Sequence, residues 1–271
     1  MSESLAAWEA AAPGWERQRD EVWAASRVIG EKLVEALDPQ PGQTILELAA
    51  GAGDTGFAAA RRLRPDGKLL STDFAPSMVA AAQRRAAELG IDNAEFRCLD
   101  AQDLDLPDAS VDGVICRWGY MLMPDPGRAL RETRRVLRPG GRLAFSVWAG
   151  GEDNPWAAVI GRTMVELGVV PLPQPGEPGI FALADPERIR ELVAAAGFGE
   201  PALERVEMAW DYGSFDGWWA FTMELAGALS ATISKLHPEE QQRVRAAVGE
   251  RAKRFAPDYV VPGVCWNVTT S

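Results

Sequence analysis

An α/β fold, with a mostly parallel seven-stranded sheet, helices on both faces and a helical cap, is predicted by three observations. Short apolar runs alternate with segments of helical period from Thr44 to Trp148. A glycine turn, Gly51-Ala52-Gly53-Asp54-Thr55-Gly56, joins the first run to the first helix. Glu47, Asp73, Asp100 and Arg117 each fall at the end of a different apolar run. In an open parallel sheet those ends form the edge where ligands bind.

Along the chain, Trp8, Trp15 and Trp23 lie among charges, and Trp15 and Trp23, eight residues apart, read as one helix face. That helix either packs over the core or gates a ligand. Ser26–Leu37 carries Val28, Ile29, Leu33, Ala36 and Leu37 at helical spacing and stops at Pro39 and Pro41-Gly42. Thr44–Leu48 is a strand, Thr55–Leu63 a helix, Lys68–Thr72 a strand ending at Asp73, and Pro76–Leu89 a helix with Pro76 in its first turn and Gly90 at its end. Ala94–Cys98 and Val111–Arg117 are strands three and four. Arg128–Leu137 is a helix, Pro139-Gly140-Gly141 a tight turn and Arg142–Trp148 strand five. Beyond it, Pro and Gly surround a short helical piece, Trp156–Leu167. Asp185 caps a helix that begins at Pro186 and ends at Gly197. Leu203–Trp210 and Val264–Thr269 are expected to complete the sheet, with helical patterns Ser214–Leu236 and Pro238–Phe255 between them as a cap. The resulting division is 1–40, N-terminal helices covering the site; 41–150, the ligand-binding core; and 151–271, the remainder of the sheet with a cap insertion at about 211–260.

The 271 residues are 47% hydrophobic and carry a net charge of −11, which argues against nucleic acid as the main partner. Cys98, Cys116 and Cys265 are widely spaced, so neither a metal site nor a disulfide framework is expected. No run reaches the length of a membrane span, and no basic-then-apolar leader opens the chain. A cytoplasmic protein without a membrane span is expected; monomer and homodimer both stay open.

Two cofactor classes use such a glycine turn. The stretch fits the G-x-G-x-x-G dinucleotide pattern, and Asp73 lies near the offset of a ribose-binding acid. Glu47 argues the other way, because a carboxylate at the strand end repels a pyrophosphate, whereas the amino acid and sulfonium of S-adenosylmethionine tolerate it.

Four segments in order and spacing, Ile45-Leu46-Glu47-Leu48-Ala49-Ala50-Gly51-Ala52-Gly53, Ser71-Thr72-Asp73-Phe74, Phe96-Arg97-Cys98-Leu99-Asp100-Ala101 and Arg135-Val136-Leu137-Arg138-Pro139-Gly140-Gly141, resemble the Rossmann-like class I S-adenosylmethionine-dependent methyltransferases. The likeness is to the broad group that includes the ubiquinone and menaquinone C-methyltransferases, and it is closest over Pro41–Trp148. It implies that Glu47 and the backbone of Ala49, Gly51 and Gly53 hold the methionine part. It implies that Asp73 binds the ribose hydroxyls, that Phe74 and Met78 flank the adenine, that Asp100 and the Ala101 N–H meet the adenine edge, and that Arg117 faces cofactor and substrate. The family has Gly where this chain has Ala49, a change tolerable if φ stays negative.

Methyl transfer from a sulfonium is an in-line displacement driven by alignment and water exclusion, and the sequence offers no obvious general base or other catalytic residue. Trp15, Tyr120, Trp148 and Trp218 are the candidate substrate contacts, each with core packing as the plainer reading. The acceptor is expected to be a small apolar or aromatic metabolite, methylated on O, N or C with S-adenosylmethionine converted to S-adenosylhomocysteine. The alternatives are a non-catalytic S-adenosylmethionine-binding protein and a dinucleotide-dependent oxidoreductase.

Overall fold

The computed structural model describes residues 3–174, 176–225 and 227–271. Seven strands form one sheet: β1 (Thr44–Glu47), β2 (Lys68–Asp73), β3 (Ala94–Cys98), β4 (Val111–Arg117), β5 (Leu137–Trp148), β6 (Ala202–Asp211) and β7 (Val260–Thr270), in the order β3-β2-β1-β4-β5-β7-β6. The first five strands are parallel, and β7 runs antiparallel to both β5 and β6. The strand order reverses between β1 and β4, so a crevice opens above their C-terminal ends.

Helices α1 (Glu3–Arg17) and α2 (Arg19–Leu37) precede the sheet. Helices α3 (Asp54–Arg62) and α4 (Pro76–Leu89) make the crossovers from β1 to β2 and β2 to β3. Both crossovers step the same way, so right-handed connection puts both helices on one face. Helix α5 (Pro126–Val136) steps the opposite way, from β4 to β5, and lies on the other face beside α7 (Pro186–Ala195). The central strands are apolar on both sides: Ile45, Leu46, Val114, Ile115, Leu143, Ala144, Phe145 and Val147 are all buried. Each such Leu, Ile or Phe contributes about 1.5–3 kcal/mol on burial.

Helix α6 (Pro155–Glu166) and three later helices, α8 (Phe215–Leu225), α9 (Gly227–Lys235) and α10 (Pro238–Ala252), gather a second apolar cluster around Ile160, Met164, Trp218, Ile233, Val244 and Val248.

Several elements differ from the sequence-based expectation. A turn at Gln18 separates α1 from α2, so Trp15 and Trp23 sit on different helices rather than one face. The expected Ser214–Leu236 helix is described as α8 and α9 on either side of residue 226, which lies outside the described residues. Strand β5 begins at Leu137, and the register against β4 jumps from Val111↔Leu137 to Gly113↔Arg142. The Pro139-Gly140-Gly141 turn is thus a bulge inside the strand, with Gly140 at φ 79°.

Candidate active site

The turn after β1 is built from both ends. Ala50 N–H donates to Thr72 O at 2.9 Å, and Thr72 Oγ1 donates to Glu47 O at 2.7 Å, which ties the turn to β2. Gly51 stands at φ 55° and Gly53 at φ 88°, conformations that glycine adopts without penalty. A Cβ on Gly53 would strike the Phe57 ring at 2.4 Å, whereas one on Gly51 would meet nothing within 4 Å. The turn therefore closes inward at Gly53 and leaves open space over Gly51, where backbone can approach a ligand. Ala49 is at φ 50°, so the condition of a negative φ is not met. The methyl is carried in the left-handed region, at a cost of about 1–2 kcal/mol.

Glu47 does not face that open space. Its carboxyl is buried, accepting from Gly56 N–H at 2.7 Å and from Ser71 Oγ at 2.9 Å. Burial pushes its pKa up to about 8, against the pull of Ser71, Gly56 and Arg117. Glu47 thereby braces the turn from beneath. The repulsion argument against a pyrophosphate also loses force, because a carboxyl with that pKa is largely uncharged at pH 7.

Asp73 closes the other side. Its Oδ2 accepts from Gly51 N–H and its Oδ1 from Ala75 N–H, both at 3.0 Å, so one carboxylate at the end of β2 fixes the turn after β1 and the entry to α4. Burial pushes its pKa up despite these donors. Phe74, half-buried, follows it, and Met78 packs with Ala75 and Ala12 in an apolar cluster completed by Leu5, Trp8 and Trp15. Thus α1 packs on the start of α4, held there by Glu9, which accepts from Ser77 N–H at 2.9 Å. The sequence reading passed over Glu9, which shows no motif. Asp100 is exposed and accepts from Gln102 N–H at 2.9 Å, while Ala101 is buried beside it.

Arg117 leaves the end of β4 and runs under α2 and α3. Its Nε donates to Thr55 Oγ1 at 2.8 Å and its Nη1 to Ser26 Oγ at 3.2 Å, and its guanidinium lies 4.4 Å from the Trp118 ring centroid. Trp118 itself stands at φ 62°, a strained conformation for a bulky residue. That backbone turn stacks its ring on Trp148 at 4.3 Å and aims its Nε1–H at Cys265 Sγ, 3.1 Å away.

The remaining substrate candidates separate. Trp148 joins an aromatic cluster with Trp118, Trp156 and Trp210 that continues through Tyr212 and Phe221. Trp156, Tyr212 and Phe221 form its half-exposed edge. Trp210 Nε1 and Tyr212 OH are buried without a hydrogen-bond partner among the described residues. Trp15 reaches toward this side, donating to Leu225 O at 3.2 Å. Tyr120 does not: it is fully buried, edge-on to Phe145, with its hydroxyl paired to Thr133 Oγ1 at 2.7 Å. Trp218 is likewise fully buried, stacked on Tyr212 and donating to Trp156 O at 3.1 Å. Both side chains are sealed in the packing, and Tyr212, which the sequence reading missed, lies beside Trp218 in the aromatic cluster. A groove of about 330 Å³ on the outer side of α10, lined by Phe215, Arg245 and Tyr259, involves none of these residues.

Among the described residues no cluster of three His, Cys, Asp or Glu is placed to hold a metal, and no helix is long and apolar enough to cross a membrane.

A family model described as a methyltransferase domain matches residues 39–161. The demethylmenaquinone methyltransferase of Thermus thermophilus is 33% identical over 176 residues, 60% of this chain and 77% of that protein. The arsenite methyltransferase of Halobacterium salinarum is 41% identical over 106 residues, 39% of this chain and 27% of that protein. The chain spans between about a quarter and a half of the first curated relatives it matches, 27% to 54% of their lengths. Among solved structures, the YcgJ protein of Bacillus subtilis superposes with a TM-score of 0.58 at 17% identity, over 89% of this chain and 96% of that one, a likeness of fold.

Proposed function

The chain belongs to the class I S-adenosylmethionine-dependent methyltransferases, and we propose that it methylates a small apolar or aromatic metabolite held against the aromatic cluster beyond β4 and β5. The observation that carries the acceptor class is the pair of buried, unpartnered polar atoms, Trp210 Nε1 and Tyr212 OH, set in a wall of rings. A buried donor without a partner costs about 1–3 kcal/mol, and a ligand oxygen or nitrogen placed there would relieve it. Flat apolar acceptors match the rings, and a polar substituent would match either orphaned group.

Residues of the crevice fit the cofactor. The open space over Gly51 admits a backbone-close ligand, Asp73 presents a carboxylate at the end of β2, and Phe74 and Met78 supply an apolar wall. Bound S-adenosylmethionine supplies the electrophilic methyl. The chain's own part is to orient and to dry the site: Asp73 and Glu47 fix the turn from two sides, α1 covers the β2 side, and the aromatic cluster excludes water on the β5 side. Charge is consumed in the displacement, so the chain needs no oxyanion-type donor, and an acceptor that arrives as an anion or a free amine needs no base. The acid surface and net charge of −11 favour a small molecule over nucleic acid.

The test is S-adenosylhomocysteine formation from S-adenosylmethionine over a panel of hydroquinones, phenols, aromatic amines and arsenite. Turnover of an aromatic acceptor, lowered about tenfold in Tyr212→Phe with cofactor affinity unchanged, supports the reading; turnover of arsenite alone refutes the acceptor class.

A further inference from the structure

Helix α4 begins without a cap of its own. Its N-cap residue is Ala75, which has no side-chain acceptor, and its first turn, opened by Pro76, carries no acid. A helix start leaves its first N–H groups unsatisfied and gathers partial positive charge, and a Ser, Thr, Asp or Asn at the N-cap ordinarily answers this. Here the answer comes from another helix. Glu9 of α1 accepts from Ser77 N–H at 2.9 Å through one carboxylate oxygen and from Ser77 Oγ at 2.5 Å through the other. Those two bonds hold its carboxyl below the usual carboxylate range, so it is ionised at neutral pH.

Helix packing places Glu9 for this bond. Glu9 and Glu16 are seven residues apart on α1, and Ser77 and Arg84 are seven apart on α4, about two turns in each case. Glu16 grips the Arg84 guanidinium at 2.7 and 2.8 Å while Glu9 takes Ser77, so two rungs fix how α1 lies along α4. Ala12, Ala75 and Met78 pack in the same contact. The start of α4 also belongs to the crevice. Ala75 N–H donates to Asp73 Oδ1, and Gly51 N–H donates to Asp73 Oδ2. One short stretch is thus held by two carboxylates, Glu9 at Ser77 and Asp73 at Ala75. Burial, the larger cause, and the nearby charge of Glu9 both push the Asp73 pKa up.

We propose that Glu9 is a positioning residue for the cofactor: as a cap of α4 supplied from α1, it keeps the α4 start in the geometry that orients Asp73, and so couples the docking of α1 to cofactor affinity. The inference rests on the cofactor reading above and adds to it a residue of α1 that acts through Ser77, Ala75 and Asp73 rather than by touching the ligand. An uncapped first turn frays, and the fraction of molecules with a frayed turn binds poorly, so the apparent affinity falls with that fraction.

The experiment moves the cap from α1 to α4 itself. Glu9→Ala removes it, and Ala75→Ser supplies an acceptor at the N-cap, whose φ of −95° and ψ of 114° suit that role. Wild type, both single variants and the double variant are titrated calorimetrically with S-adenosylhomocysteine, and amide exchange at Ser77 is read in the free proteins. In the wild-type background Glu9→Ala should weaken binding about fivefold, the worth of one cap, and speed exchange at Ser77 by a similar factor. In the Ala75→Ser background the same substitution should cost less than about twofold in both readouts. Equal loss of affinity in the two backgrounds would mean that Glu9 acts by anchoring α1 or by meeting the ligand, and would overturn the proposal. So would a Glu9→Ala variant that binds as wild type does. Failure of wild type to bind S-adenosylhomocysteine removes the cofactor reading and this coupling with it, while exchange at Ser77 still reads the cap. Glu9→Gln keeps an acceptor for Ser77 N–H without the charge, should lose part of the affinity, and takes the place of Glu9→Ala in the cycle if that variant does not fold.

Discussion

The methyl group of Ala49 lies over Gly119: a Cβ built on Gly119 would stand 2.8 Å from Ala49 Cβ and 2.6 Å from Cys116 Sγ. Ala49 holds its left-handed φ of 50° against that contact, so the two positions share one small volume. Ala49→Gly is expected to stabilise the protein by about 1 kcal/mol through relief of the left-handed conformation. Gly119→Ala is expected to cost about 1–3 kcal/mol by overpacking. In the double variant the Ala49 methyl is gone, so the loss should be smaller than the sum by at least about 0.5 kcal/mol. Urea unfolding of the four proteins measures the coupling; strict additivity would mean that the loop relaxes independently at each end.

Glu47 predicts an inverted pH dependence. Its folded pKa, about 8, lies above the unfolded value of 4.5. The stability it contributes is full below the unfolded value and is lost as pH rises through the folded one, because the unfolded chain releases a proton that the folded chain holds. Glu47→Gln does not titrate. The stability of wild type relative to that variant should fall by about 1.4 kcal/mol at most for each pH unit from about pH 5 to about pH 8. Urea midpoints of both proteins across that range check this, and a constant difference would show that Glu47 ionises normally.

Asp73 and Asp100 lie at the ends of neighbouring strands yet should differ in their effects. The Asp73 carboxylate fixes Gly51 and Ala75, whereas the Asp100 carboxylate is exposed and, among the described residues, accepts only from Gln102. Asp73→Asn should weaken S-adenosylhomocysteine binding by roughly 10- to 100-fold, the range of one or two hydrogen bonds to a charged group. Asp100→Asn should cost less than tenfold, in keeping with an exposed contact. Calorimetry of the pair would contradict the assignment if the order were reversed.

These contrasts show what the sequence makes legible. Alternation of strand and helix from Thr44 to Trp148 is local periodicity, and it carried the sheet, the crevice and the turn at Gly51 and Gly53. Asp185 was recognisable as a cap because its bond to Glu187 N–H spans two residues. What stayed hidden depends on distant partners. Glu47 and Ser71, or Arg117 and Ser26, meet only after the sheet is assembled, so the brace that Glu47 forms beneath the turn cannot be read from its place at a strand end. The burial of Tyr120 and Trp218 was hidden for the same reason, since aromatic content does not say which rings are sealed. The break at Gln18 has no glycine or proline to announce it.

Tyr212 is expected to trade stability for function. Its hydroxyl is buried without a partner among the described residues, between the stacked rings of Trp210 and Trp218. Tyr212→Phe keeps the ring and removes the orphaned group, so the protein should gain up to about 1 kcal/mol. If that hydroxyl meets the acceptor, kcat/KM for an aromatic substrate should fall about tenfold while cofactor affinity stays the same. A loss of stability instead would show that the hydroxyl already has a partner, such as an ordered water.

Gly14 sets how closely α1 packs on α8. A Cβ there would lie 2.3 Å from Glu224 O, so α1 and α8 touch backbone to side-chain-free backbone. Trp15 Nε1 to Leu225 O and Gln18 Nε2 to Glu224 Oε2, at 2.8 Å, fasten the same contact. The other side of α1 packs on Ala75 and Met78, so one helix bridges the start of α4 and the cap. Gly14→Val should force α1 away from α8 while leaving its contact with α4. Amide exchange in residues 3–17 should then rise well before the sheet is affected, because local opening of a terminal helix costs far less than global unfolding. Dissociation of S-adenosylhomocysteine should quicken in parallel if α1 roofs the bound cofactor. Faster exchange with an unchanged off-rate would mean that α1 packs against the cap without gating the crevice.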